Sequence, residues 1–162
     1  MQDLGAMAQS VAAKLKERGE TVSVSESSGG GLISAALLSI PRASAYFMGG
    51  GVIYTQDARH ELLGVPVEAM TGLRSSTEPY ARLLAGRMNE VLNTTWTLSE
   101  TGASGPTGNA YGDKPGHSCI AVVGPVERSM TLETGDDDRV ANMWVFAQTA
   151  LDFLEKCVDE AD

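Results

Sequence analysis

A strand-like run leads directly into hydroxyls and glycines in Val22-Ser23-Val24-Ser25-Glu26-Ser27-Ser28-Gly29-Gly30-Gly31, and an apolar, alanine-rich run follows it. That order predicts strand, tight turn, helix. Ser27 and Ser28 offer hydroxyls for attack or hydrogen bonding, and Glu26 offers a carboxylate. Glycines at such a turn let an anionic ligand approach main-chain N–H groups at the positive end of a helix. The run has neither the lysine of a phosphate-binding P-loop nor the spacing of a dinucleotide fingerprint. Ser27 or Ser28 serving only as a helix N-cap accounts for the same residues. A second glycine-rich stretch, Gly102-Ala103-Ser104-Gly105-Pro106-Thr107-Gly108-Asn109, follows the alternating residues 95–101. In open α/β sheets ligands bind beyond the carboxyl ends of the strands, so two loops that both follow strands are expected to face one crevice.

The elements that must position these loops follow from periodicity. Leu4, Met7, Ala8, Val11 and Leu15 repeat at helical spacing, and Gly19 ends the pattern. Residues 21–25 read as the first strand and 30–39 as the second helix, which Pro41 stops. Residues 43–48 fit no single element; Gly49-Gly50-Gly51 then opens a strand at 52–54. Thr55 is placed to cap a short helix over 56–63 that Gly64 closes. Ser75-x-x-Glu78 reads as a capping box ahead of a helix striped by Tyr80, Leu83, Leu84, Met88 and Val91. Residues 118–123 and 129–132 form a hairpin pattern around Gly124-Pro125. Asp136-Asp137-Asp138 precedes the last helix, where carboxylates suit the positive helix end better than they suggest a metal site. That helix carries two apolar stripes, Val140, Met143, Trp144, Ala147, Leu151, Leu154, Val158 and Phe146, Ala150, Phe153, Cys157. One sheet-facing stripe spans ~100° of arc. The wider arc here predicts a second covering surface and, most simply, a homo-oligomer.

Helices alternating with strands predict a three-layer α/β/α sandwich, and the hairpin makes its sheet mixed, though mostly parallel. At 162 residues the expectation is one domain over 1–162. A net charge of −9 without a Lys/Arg cluster argues against nucleic acid as a partner. It leaves open a phosphorylated small molecule held by local N–H donors. Cys119 and Cys157 stand far apart without metal spacing, and the only histidines are His60 and His117, so no zinc site or other cofactor is expected. Residues 4–18 are amphipathic and not a secretory segment, and the longest apolar run, 29–40, is short of the ~20 residues of a membrane span. The expected location is the cytoplasm, away from membranes.

The residues then resemble a known family, the C-terminal domain of the competence/damage-inducible protein CinA, which includes nicotinamide mononucleotide amidohydrolases. Its Glu-Ser-Cys-Thr-Gly-Gly loop is matched by Glu26-Ser27-Ser28-Gly29-Gly30-Gly31. Its small-Ser-Ala-Tyr/Trp-Phe segment and following strand look like Ala43-Ser44-Ala45-Tyr46-Phe47 through Tyr54-Thr55, and its Leu-Gly-Val like Leu63-Gly64-Val65. Its Thr/Ser-Gly-x-Ala/Ser-Gly-Pro loop is matched by Thr101-Gly102-Ala103-Ser104-Gly105-Pro106, and its Lys-Pro by Lys114-Pro115. The resemblance implies a serine amidohydrolase in which a Ser/Lys pair cleaves the nicotinamide carboxamide, releasing ammonia and nicotinic acid mononucleotide. Ser27 matches the serine, whereas the lysine of the family's Asn-Glu-Ala-Lys falls on Arg59 in Gln56-Asp57-Ala58-Arg59.

That change has a physical cost. Bringing a lysine from ~10.4 to 7 costs about 4.6 kcal/mol, which burial supplies, whereas an arginine, whose ordinary pKa lies far above that of lysine, would need roughly 9 kcal/mol. Arg59 therefore stays a cation, fit to orient a carboxamide, pair with a phosphate or stabilise an oxyanion, and unfit to take a proton from Ser27. Glu26, Lys114, His60, His117 and Tyr54 remain as other candidates for the base. The expected site has Ser27 and Arg59 as catalytic residues, with Glu26, Ser28, Gly29, Gly30, Gly31, Tyr54, Thr101, Gly102, Ser104, Gly105 and Lys114 contacting a phosphorylated nicotinamide nucleotide. The readings weighed are an amidohydrolase, a silent nucleotide-binding relative that lost the base, and a structural oligomer; the intact loops favour the first two.

Overall fold

The computed structural model describes residues 2–162. Helix α1 (Leu4–Arg18) is capped by the Asp3 carboxylate, which accepts from Gly5 N at 2.9 Å, and ends on left-handed Gly19. Strand β1 (Val22–Glu26), helix α2 (Leu32–Leu38), strand β2 (Phe47–Val52) and helix α3 (Gln56–Leu63) follow. Helix α4 (Glu78–Leu92), strands β3 (Trp96–Ala103), β4 (His117–Val123) and β5 (Arg128–Glu133), and helix α5 (Arg139–Glu160) complete the chain. The sheet order is β2-β1-β3-β4-β5. β1 lies parallel to both β2 and β3, and β4 runs antiparallel to both β3 and β5. The sheet is mixed, with four strands in one direction and β4 reversed. No helix among the described residues is long and apolar enough to cross a membrane.

Side-chain alternation along β1 and β3 sorts the layers. Val22, Val24, Trp96 and Leu98 share one core with residues of α1, α2 and α5. On the other face, the polar residues Ser23, Thr97 and Thr94 bond among themselves, with Ser23 Oγ 2.8 Å from both threonine hydroxyls. There Ala81 and Ala85 of α4 pack on Cys119 and Ala121, and α3 packs outside α4 through Leu63, Leu84 and Met88. The result is a three-layer α/β/α sandwich.

Four local expectations change. The glycine triplet lies inside β2, which ends at Val52, so Ile53 and Tyr54 follow the strand. A Cβ at Gly50 would overlap the Ser34 hydroxyl, so α2 can press this close only on glycine. β3 runs on through Gly102, where a Cβ would overlap the His117 carbonyl across the β3–β4 ladder; the second loop thus starts at Ser104. The capping box does not form: Thr77 caps α4, and Glu78 accepts from Ser129 Oγ and Thr131 Oγ1, each at 2.7 Å. Finally, the second stripe of α5 and the C-terminal part of the first are covered within the chain, whereas Val140 is exposed and Met143 and Trp144 are half-buried. Phe146, Ala150, Leu151, Leu154 and Cys157 are buried against the sheet, α1 and α2, and Phe153 packs at their edge. The second covering surface over the buried part of the arc is α1 with α2, so Phe146 is buried without a second subunit.

Candidate active site

The first turn sits between β1 and α2, where the sequence order required it. Its hydrogen bonds differ from the expectation of an open anion cradle. Glu26, fully buried at the end of β1, folds under α2 and accepts from Gly31 N at 2.8 Å, Ile33 N at 3.2 Å, Ser34 N at 2.9 Å and Ser34 Oγ at 2.8 Å. The helix N-cap, Gly31, has no side chain to do this, and neither Ser27 nor Ser28 caps the helix. From neighbouring β3, Glu100 enters the same turn. Its Oε2 accepts from Ser27 N at 3.1 Å and Gly29 N at 2.8 Å, while its Oε1 accepts from the Ser28 hydroxyl and from Ser118 Oγ at 3.1 Å. Gly29 fits between the two carboxylates; a Cβ there would lie 3.1 Å from a Glu100 oxygen and 3.2 Å from a Glu26 oxygen.

Glu100 is fully buried. Burial pushes its carboxyl above the usual carboxylate range, against the lowering effect of the Ser28 hydroxyl and the Gly29 and Ser27 N–H groups; nearby Glu26 raises it further. Four donors converging on one carboxylate are what a buried charge needs to persist.

Beside this turn lies a cleft of about 290 Å³. Ser28, Tyr54, Gly102, Ala103, Ser104, Gly105, Thr107, Gly108, Asn109 and Arg139 line it, so the two glycine-rich loops do open on one crevice. Arg139, the first residue of α5, donates to the Gly105 carbonyl and lies 3.5 Å from the Tyr54 hydroxyl. Asn142, one turn on, fixes the second loop by donating to Ser104 O and Asp136 O, both at 2.8 Å. Behind the loop, Arg74 pairs bidentately with Asp113 at 2.8 and 3.2 Å, and Asp113 accepts from Asn109 Nδ2 at 2.7 Å. His117 is buried between Glu133, 2.5 Å from Nδ1, and Ser76 O, 2.8 Å from Nε2. Burial disfavours its charge, but Glu133, the Ser76 carbonyl and Asp113 outweigh burial and raise its pKa.

Of the expected site residues, Ser28, Tyr54, Gly102, Ser104 and Gly105 meet in the cleft. Ser27 is half-buried on the turn beside it, and Gly30 and Gly31 take the left-handed backbone with φ of 66° and 97° that leads into α2. Thr101 faces the α4 side, where its hydroxyl accepts from Ser76 N at 3.2 Å. Lys114 lines a separate depression with Pro115, Gly135 and Asp136. Arg59 lies in another, with His60 and Val65, donates to the Tyr80 hydroxyl at 3.3 Å, and stacks over that ring at 5.7 Å. Glu100, Arg139 and Asn142 were not singled out from the sequence. Glu100 carried one available signal, a carboxylate in the middle of a buried strand.

The family model for the CinA C-terminal domain matches residues 4–158. The chain belongs to the CinA C-terminal domain family. A CinA-like protein of Gloeobacter violaceus is 35% identical over 158 residues, 95% of this chain and 37% of that protein. One from Synechocystis sp. is 34% identical over 158 residues, 96% of this chain and 38% of that protein. The chain thus spans less than two fifths of the length of these curated CinA-like relatives. Among solved structures, the competence/damage-inducible protein CihA from Agrobacterium tumefaciens superposes with a TM-score of 0.88 at 27% identity, covering 97% of this chain and 96% of that one. The CinA-superfamily protein from Klebsiella pneumoniae 700603, at 20% identity and a TM-score of 0.90 over 98% and 99% of the two chains, shares the fold.

Proposed function

We propose that this CinA domain is a serine amidohydrolase that takes nicotinamide mononucleotide in the cleft between its two glycine-rich loops and deamidates it to nicotinic acid mononucleotide and ammonia. The observation that carries the reading is the convergence, in one cleft, of a serine hydroxyl bonded to a buried carboxylate and an arginine at the rim. The charges fit such a substrate. Glu100 lies behind Ser28 and favours a cationic pyridinium ring, and Arg139 is the guanidinium available to a phosphate. Membership of the CinA family supports the same reading.

A second reading, a nucleotide-binding domain without turnover, is favoured by Arg59. An arginine stands where the resemblance expects the lysine base, and it is turned to Tyr80. Two measurements separate the readings: calorimetric titration with nicotinamide mononucleotide and its dephosphorylated riboside, and ammonia release from each. The enzyme reading expects ammonia release that Arg139→Gln weakens for the mononucleotide and spares for the riboside. A charge-assisted hydrogen bond is worth about 1.5–3 kcal/mol, and at this exposed rim the lower figure, roughly tenfold in affinity, applies. Binding without ammonia selects the silent domain, and no binding of either compound removes both readings.

A further inference from the structure

We propose that the reacting hydroxyl of the cleft is that of Ser28, with Glu100 as its proton acceptor. This rests on the amidohydrolase reading for its substrate, although the pairing itself comes from geometry. Ser28 lines the cleft, and its hydroxyl donates to Glu100 Oε1. Ser27 meets Glu100 only through its main-chain N–H, and among the described residues its hydroxyl has no hydrogen-bond partner. Glu100 cannot swing away, because Ser27 N and Gly29 N hold Oε2 while Ser118 shares Oε1. The cation at Arg59 opens on a different depression.

The steps balance. Ser28 Oγ attacks the carboxamide carbon as its proton passes to Glu100. The C–N bond then breaks, and the leaving nitrogen takes that proton and departs as ammonia. Water attacks the resulting ester, giving one proton to Glu100. The ester C–O bond breaks, and Glu100 returns the proton to Ser28, which frees the acid. A base raised by burial suits this transfer, since proton acceptance strengthens with pKa as long as the group is ionised.

Labelling with a sulfonyl fluoride, located by tandem mass spectrometry, reads the activated hydroxyl independently of any substrate. The expected adduct is on Ser28. It persists in Ser27→Ala, is absent in Ser28→Ala, and forms ~10²–10⁴-fold more slowly in Glu100→Gln, the usual contribution of a general base. Should Glu100→Gln fail to fold, the wild-type labelling rate supplies the test. It should rise with pH along a limb displaced above the ordinary carboxylate range. An adduct on Ser27, no adduct, or a pH-independent rate overturns the pair. Ammonia release from nicotinamide mononucleotide is measured in the same samples. Ser28 labelling without ammonia keeps the pair and removes the substrate; ammonia with an adduct on Ser27 keeps the activity and removes the pair.

Discussion

Glu26→Ala should unseat α2 and with it the turn that carries both serines. The wild-type carboxylate serves three main-chain donors, Gly31 N, Ile33 N and Ser34 N, and the helix has no other side chain over its N-terminus. A buried donor left without an acceptor costs about 1–3 kcal/mol. Ile33 is fully buried and counts in full, whereas Gly31 and Ser34 are half-buried, reach water and count at the low end of ~1 kcal/mol each. The sum is about 3–5 kcal/mol, a large share of the ~5–15 kcal/mol that keeps a domain folded. Glu26→Gln keeps Oε1 for Gly31 and Ile33 but sets an amide N–H₂ against Ser34 N, so it should fall between wild type and alanine. Urea unfolding at neutral pH, followed by circular dichroism, reads both. A loss below about 1 kcal/mol for Glu26→Ala would refute the reasoning and return Glu26 to the ligand-contacting role expected of it from the sequence.

Gly102→Ala should lose about 2 kcal/mol or more in the same assay, because its Cβ would overlap a main-chain carbonyl that the β3–β4 ladder holds in place. His117 gives a pH signature. Its folded pKa is raised, so the stability it contributes is complete below its unfolded value of ~6.5 and is lost as pH rises through the folded value. Urea midpoints should therefore fall through that window in wild type, and His117→Gln should flatten the decline; parallel curves would count against the assignment. Arg59→Lys should give no measurable gain in ammonia release, since the side chain at this position opens on the depression beside Tyr80. A clear gain would revive the pairing of Ser27 with a lysine base on α3 and displace Glu100.

What was legible in the sequence was what neighbouring residues decide. Thr55 and Gly64 bracket α3 as read, Thr55 Oγ1 accepting from Ala58 N at 3.0 Å, and Asp138 caps α5 by accepting from Ala141 N at 3.0 Å. The hairpin and the first glycine-rich turn also sit where their residues put them, and the second follows its strand two residues later than read. The misreadings share a cause in partners far along the chain. Glycine lowers strand propensity, so β2 was hidden until Ser34 and Val24 showed why Gly50 has no side chain. Glu78 resembled half of a capping box, but β5 supplies two hydroxyls that hold it more firmly. Glu100 lies more than seventy residues from the turn it fills, and only the pairing of β1 with β3 brings it there. The wide apolar arc of α5 was real, and its second cover came from the opposite end of the chain.

A glycine-rich turn is ordinarily a place where backbone breathes. Here the glycines make room for carboxylates from two adjacent strands, and those carboxylates seize amides at 27, 29, 31, 33 and 34. The hydrogens at 29 and 33 are buried as well as bonded, and releasing them to solvent deuterium requires separating β1, β3 or α2 from its neighbours. The segment should exchange on the timescale of whole-domain opening, as core strands do and loops do not. The geometry of the candidate site would then be as durable as the fold, and heating should erase the two together.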